Sequence, residues 1–89
     1  MQELLRQTRE ILKRDPRLAG LRVSADEGEL HLLVGDDRFA RLLPTDKQGV
    51  WRLEYFHNRE RWESIDFRGT LRECVQFLSE NTHYHFWEG

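Results

Sequence analysis

The sequence predicts an α+β domain: an antiparallel meander of about five strands with a helix at each end, both helices on one face of the sheet. Three observations predict it. Residues 2–14 and 70–80 carry apolar residues at helical spacing. Residues 21–67 read as short alternating runs separated by turn residues. The links between those runs are short, which suits hairpins and leaves no room for crossovers.

The first helix is the clearest element. Leu4, Leu5, Thr8, Ile11 and Leu12 share one stripe, and every Arg, Lys and Glu from Glu3 to Arg14 falls outside it. Asp15-Pro16 ends the helix, because a residue before proline avoids the α region. Next come Leu21–Ala25 and Leu30–Val34 around a turn at Asp26–Glu29. Pairing Ala25 with Leu30 also opposes Val23 to Leu32 and Leu21 to Val34, so like meets like. The other face then carries Ser24 with His31 and Arg22 with Leu33. A one-residue slip would oppose Leu32 to Arg22.

Gly35-Asp36-Asp37 is the second turn. In the strand from Arg38 to Leu43, either Ala40 and Leu42 face the core, or Phe39, Arg41 and Leu43 do. The first is favoured because the second buries an arginine. Pro44–Gly49 reads as a loop. The last hairpin joins Val50–His57 to Arg61–Phe67 through a three-residue loop, Asn58-Arg59-Glu60. That loop opposes Trp51 to Phe67, Leu53 to Ile65 and Tyr55 to Glu63 on the inner face, and Phe56 to Trp62 and Arg52 to Asp66 on the outer. Thr70-Leu71-Arg72-Glu73 is a capping box that opens the second helix. Its apolar side is Leu71, Cys74, Val75, Phe77 and Leu78, and Asn81 stops it. The tail His83–Trp87 is aromatic and suits a short extended segment.

An 89-residue chain of this kind is expected to be a single domain, residues 1–89. A lone cysteine allows no intramolecular disulfide. No apolar signal segment follows Met1, and no run approaches the ~18 apolar residues of a membrane span, so a cytoplasmic protein with no membrane partner is expected. The net charge of −2 supplies no global basic field for nucleic acid. Twelve of the fourteen basic residues are arginine. Codon usage in a GC-rich genome accounts for that, and so does anion recognition by guanidinium forks.

No motif carries a reaction. Cys74 lies on the apolar helix face, where packing explains it better than nucleophilic chemistry does. The carboxylates form no separated acid/base pair, and no phosphate loop, nucleophile elbow or HExxH is present. No cofactor and no metal site are expected. His83 and His85 are the nearest metal candidates, with His57 and His31 in reserve, but no zinc spacing completes them.

The outer sheet face is the most informative feature. It should carry Arg22, Ser24, His31, Leu33, Arg52, Phe56 and Trp62, together with Phe39 and Arg41 in one of the two registers of their strand. Candidate binding residues are Arg22, Arg41, Arg52, Phe56 and Trp62. Rings beside arginines suit a protein hot spot or base stacking.

Several of these residues also carry a resemblance. From Arg38 onward, Phe39, Arg41, Trp51–Tyr55, Arg61-Trp62 and the terminal Phe86-Trp87-Glu88-Gly89 resemble a group of small bacterial proteins that share a domain of unknown function. The resemblance covers roughly the last 50 residues. In that group the final Trp runs more directly into Gly, whereas Glu88 intervenes here. It implies a bacterial origin and a sheet with a C-terminal helix, and it supplies no site. The expected function is a small non-catalytic interaction module that binds a protein partner or a second copy of itself. Single-stranded nucleic-acid binding on the same face is the alternative, and an enzyme or metal protein built on His57, His83 and His85 comes third.

Overall fold

The computed structural model describes residues 2–57 and 61–81. Helix α1 spans Gln2–Arg14. Strands β1 (Arg22–Asp26), β2 (Glu29–Val34), β3 (Asp37–Pro44), β4 (Trp51–His57) and β5 (Arg61–Gly69) follow, and helix α2 spans Leu71–Glu80. The strands form one antiparallel sheet in sequence order, the expected meander. Leu12 of α1 and Leu71, Cys74, Val75 and Leu78 of α2 share one core with Val23, Leu30, Leu32, Leu42, Leu53 and Ile65 of the sheet. Both helices therefore cover the same sheet face. Leu30, Leu32, Leu42 and Leu53 are fully buried, and each such side chain stabilises the fold by about 1.5–3 kcal/mol. No helix among the described residues is long and apolar enough to cross a membrane.

Thr8 sits in the apolar stripe of α1 because its hydroxyl donates to the Leu4 carbonyl at 2.7 Å, which leaves no unpaired polar group. Past Pro16 the chain turns through Leu18, whose amide donates to the Asp15 carbonyl and whose side chain plugs the core at 1% exposure. The Asp15 carboxyl is held below its usual range. The buried Ser79 hydroxyl is the largest influence, although the two stop short of full hydrogen-bond geometry, and the Arg17 amide adds a bond of 3.0 Å.

The β1–β2 register is the expected one from Arg22↔Leu33 to Ala25↔Leu30. Its turn uses Glu27 (φ 51°) and Gly28 (φ 82°), the mirror-image turn that matches strand twist. Ala25 is exposed although its partner Leu30 is buried, because β1 is the edge strand of the sheet.

In β3 both halves of the sequence dilemma hold in part. His31↔Arg41 and Leu32↔Ala40 pair in one register, Leu33↔Arg38 in another, and Phe39 is the extra residue between them. The bulge lets consecutive residues Phe39 and Ala40 both enter the core, at 2% and 0% exposure. Phe39 is therefore not on the outer face. Arg41 is, opposite His31 and Glu54.

The β4–β5 hairpin keeps the expected pairs Leu53↔Ile65, Tyr55↔Glu63 and Phe56↔Trp62. His57↔Arg61 leaves three residues between the strands, and these lie outside the described residues. A second irregularity then corrects the expectation at the other end. Arg52 faces Arg68 and Trp51 faces Gly69, so Asp66 and Phe67 have no partner in β4. Phe67 stacks on Phe77 of α2 at 4.5 Å instead. The Arg52–Asp66 ion pair does not form, and Arg52 turns to Glu54 at 2.9 Å.

The capping box at α2 is as read. Thr70 Oγ1 accepts from the Glu73 amide at 3.1 Å, and Glu73 Oε1 accepts from the Thr70 amide at 2.9 Å. Asn81 is the C-cap, with φ −114° and its side chain donating to the Phe77 carbonyl at 2.7 Å.

Cys74 is fully buried against the Trp51 and Gly69 carbonyls. Burial, aided by the Glu73 charge, pushes its thiol up to about 11. A raised folded pKa gives stability that is complete below the unfolded value and is lost as pH rises through the folded one. The window here runs from 9.0 to about 11. Chemical denaturation at stepped pH should therefore show a loss across that window that is smaller in Cys74→Ala, by on the order of 2 kcal/mol. Parallel curves for the two proteins would refute the buried neutral thiol.

Candidate functional site

The alternation of β2, β3, β4 and β5 sends His31, Arg41, Glu54 and Trp62 to the face that the helices leave open. His31, Arg41 and Glu54 are direct cross-strand neighbours, so the pairing alone sets a row of imidazole, guanidinium and carboxylate. Arg41 Nε and Nη2 donate to Glu54 Oε1 at 2.8 and 2.6 Å. Arg52 Nη1 donates to the other carboxylate oxygen at 2.9 Å. Arg41 Nη1 also lies 3.7 Å from Glu29 Oε1, the oxygen that His31 Nε2 meets at 3.0 Å. The Glu54 side chain is only 14% exposed. That burial acts to raise its pKa, but the hydrogen bonds from Arg41 and Arg52 outweigh it and hold the carboxyl below its usual range.

Trp62 spans this row from β5. The Arg41 guanidinium carbon lies 4.1 Å from its ring centre, a cation–π contact. Phe56, its cross-strand neighbour, packs against it at 4.9 Å, and His31 meets it edge-on at 5.6 Å. The backbones of His31 and Trp62 are three strand spacings apart, roughly 14 Å in a flat sheet. Both rings therefore lean along the face, over β3 and β4. Long side chains cover this surface in place of a helix, and His31 ends up 6% exposed. Among the described residues its Nδ1 has no hydrogen-bond partner, a deficit that costs about 1–3 kcal/mol for a buried group.

Four of the five sequence-selected residues thus come together: Arg41, Arg52, Phe56 and Trp62. Arg22 stands apart, exposed, donating to the Gly35 carbonyl at 3.3 Å and facing Asp36 at 3.6 Å. Glu29 and Glu54 were not among the selected residues. Their signal was available in part, because Glu54 opposes Arg41 once the β3 register is known. Beside the cluster, a depression of about 480 Å³ opens toward the β1–β2 turn.

Among the described residues no group of three or more His, Cys, Asp or Glu could hold a metal. His83 and His85 lie outside the described residues, as does the tail that carries them. No protein-family model, no curated protein and no solved structure matches the chain.

Glu54→Gln removes the charge that both arginines share and leaves Arg41, at 21% exposure, with the longer 3.7 Å approach to Glu29 as its remaining ion pair among the described residues. Urea denaturation at pH 7 should show a loss of about 1–3 kcal/mol. A depressed folded pKa gives stability that is present above the unfolded value and is lost as pH falls through the folded one. The wild type should therefore lose stability below about pH 4.5 more steeply than Glu54→Gln does. Equal stability of the two proteins at pH 7 would show that the network is only a surface contact.

Proposed function

We propose that this chain is a non-catalytic interaction module and that its outer sheet face is the surface that binds a protein partner. The carrying observation is the arrangement around Trp62: one tryptophan fixed by Phe56, Arg41 and His31 on the face that neither described helix covers. Tryptophan, arginine and an aromatic neighbour held in one place are the composition of binding hot spots. Side chains already fixed by packing lose little freedom on binding.

Nucleic-acid binding on the same face fits less well. Arg41 and Arg52 already donate to Glu54, and Arg22 is engaged elsewhere. Phosphate contacts would have to displace a carboxylate from each. The net charge of −2 also opposes a polyanion.

The test compares wild type with Trp62→Ala, Phe56→Ala and an Arg9→Ala control on exposed α1, in quantitative pull-down from the source cells and in sedimentation over a concentration series. Trp62→Ala and Phe56→Ala should lose the partner, or the self-association, that wild type and Arg9→Ala keep. Retention of every partner by both aromatic variants would overturn the reading. Salt-dependent quenching of tryptophan fluorescence by single-stranded oligonucleotides would favour the nucleic-acid alternative.

A further inference from the structure

We infer that the free edge of β1 pairs with a second copy of this chain, strand against strand and antiparallel, about a two-fold axis at Ser24. β1 is an outer strand of the sheet, and among the described residues nothing pairs with its far side. Glu27 and Gly28 form the two-residue turn that closes it onto β2, so the flanking pair Asp26↔Glu29 exchanges backbone hydrogen bonds. An antiparallel ladder alternates, so Ser24↔His31 and Arg22↔Leu33 do the same. The amides and carbonyls of Val23 and Ala25 then point away from the sheet, as a template for one more strand.

The two edges of the sheet differ. β5, at the other edge, carries the extra residues Asp66 and Phe67 that interrupt its ladder. A bulge of that kind turns an edge away from a neighbour. β1 pairs without irregularity, and its charges are sorted by sign along the strand. Arg22 stands at its start, where Arg9 and Lys13 of α1 line the same depression of about 420 Å³. Asp26 and Glu27 stand at its end, exposed, with no ion pair among the described residues. A parallel copy would set like charge on like. An antiparallel copy sets the basic end of each strand on the acidic end of the other, twice over.

The backbone selects the register. Pairing Val23 with Ala25 of the copy lets the outward groups of both residues, in both chains, bond within the strand. It also opposes Arg22 to Asp26 of the copy, and Ser24 to its own equivalent. Glu27 of the copy then falls level with Leu21, at the depression that Arg9 and Lys13 line. Arg22 can turn to its new partner, because its contacts with the Gly35 carbonyl and Asp36 are long, 3.3 and 3.6 Å, and its side chain is 68% exposed. Val23 of the copy covers Ala25, an exposed residue on the helix-bearing face. An edge of five residues is small beside the about 20–30 residues a side of a standard interface. The dissociation constant should therefore be on the order of 10–100 μM.

The test is sedimentation equilibrium of the full chain over a concentration series, with amide hydrogen exchange as a second reading. Wild type should pass from monomer to dimer and stop there. The Val23 and Ala25 amides should gain protection as concentration rises, while those of Arg22 and Ser24 keep theirs. Ser24→Lys sets two ammonium groups against each other at the axis and should weaken the dimer about tenfold or more. Arg22→Glu and Asp26→Arg should each weaken it, and the two together should restore it. Pairing through β1 leaves the outer face free, so Trp62→Ala should keep this dimer. Circular dichroism melts check that each variant folds, and Ser24→Lys decides alone if a charge reversal does not. A wild type that stays monomeric to about 1 mM, a Ser24→Lys dimer as tight as wild type, or loss of the dimer in Trp62→Ala would each overturn the inference.

Discussion

One carboxylate on the open face of the sheet organises everything around it. Glu54 accepts from Arg41 on one oxygen and from Arg52 on the other, at 14% exposure of its side chain. Charged groups held that far from water persist only when they are paired and hydrogen-bonded. The pairing has geometric consequences. It holds the Arg41 guanidinium over the Trp62 ring and beside Glu29, which in turn engages His31. A surface made of long side chains is ordinarily mobile. This one is tied strand to strand across β2, β3, β4 and β5.

The core on the other face makes that possible through two departures from regular pairing. Without the extra residue at Phe39, Arg41 and Phe39 would share a face, and either a guanidinium would enter the core or a phenyl ring would leave it. The bulge puts Phe39 at 2% exposure beside Ala40 and leaves Arg41 outward. The irregularity near Arg52 acts similarly. It releases Phe67 to stack on Phe77 of α2 and leaves Arg52 with Glu54 as its nearest carboxylate. Core and outer face are two consequences of the same strand geometry.

This explains which parts of the structure the residues announce and which they hide. The β1–β2 pairing and the turn-side half of the β4–β5 hairpin are legible, because apolar residues oppose apolar ones there and any slip would break the match. Those registers also place Phe56 and Trp62 outward, so the aromatic half of the site can be read directly. Bulges leave no such mark. A period-2 pattern with an inserted residue looks like ambiguity, which is how residues 38–43 read, or like a plausible but wrong partner, which is how Asp66 reads for Arg52. Leu18 is hidden for a related reason: it follows Pro16, outside any periodic run, yet it fills the core. His31 is legible as an outer-face residue. Its burial is not, because side chains from other strands reach across to it, the Trp62 ring of β5 among them. Arg22 has the right residue type on the right face, but it stands on the far strand, beyond reach of the cluster.

The central claim is that Glu54, Arg41 and Trp62 act as one unit. A double-mutant cycle in urea denaturation tests it most directly, with Glu54→Gln, Trp62→Ala and the combined variant. Glu54 and Trp62 are coupled through Arg41, so removing one should lessen the cost of removing the other. The account predicts a coupling energy of about 1 kcal/mol or more. Losses that add to within about 0.5 kcal/mol would mean that the carboxylate does not hold the ring in place, and would contradict it.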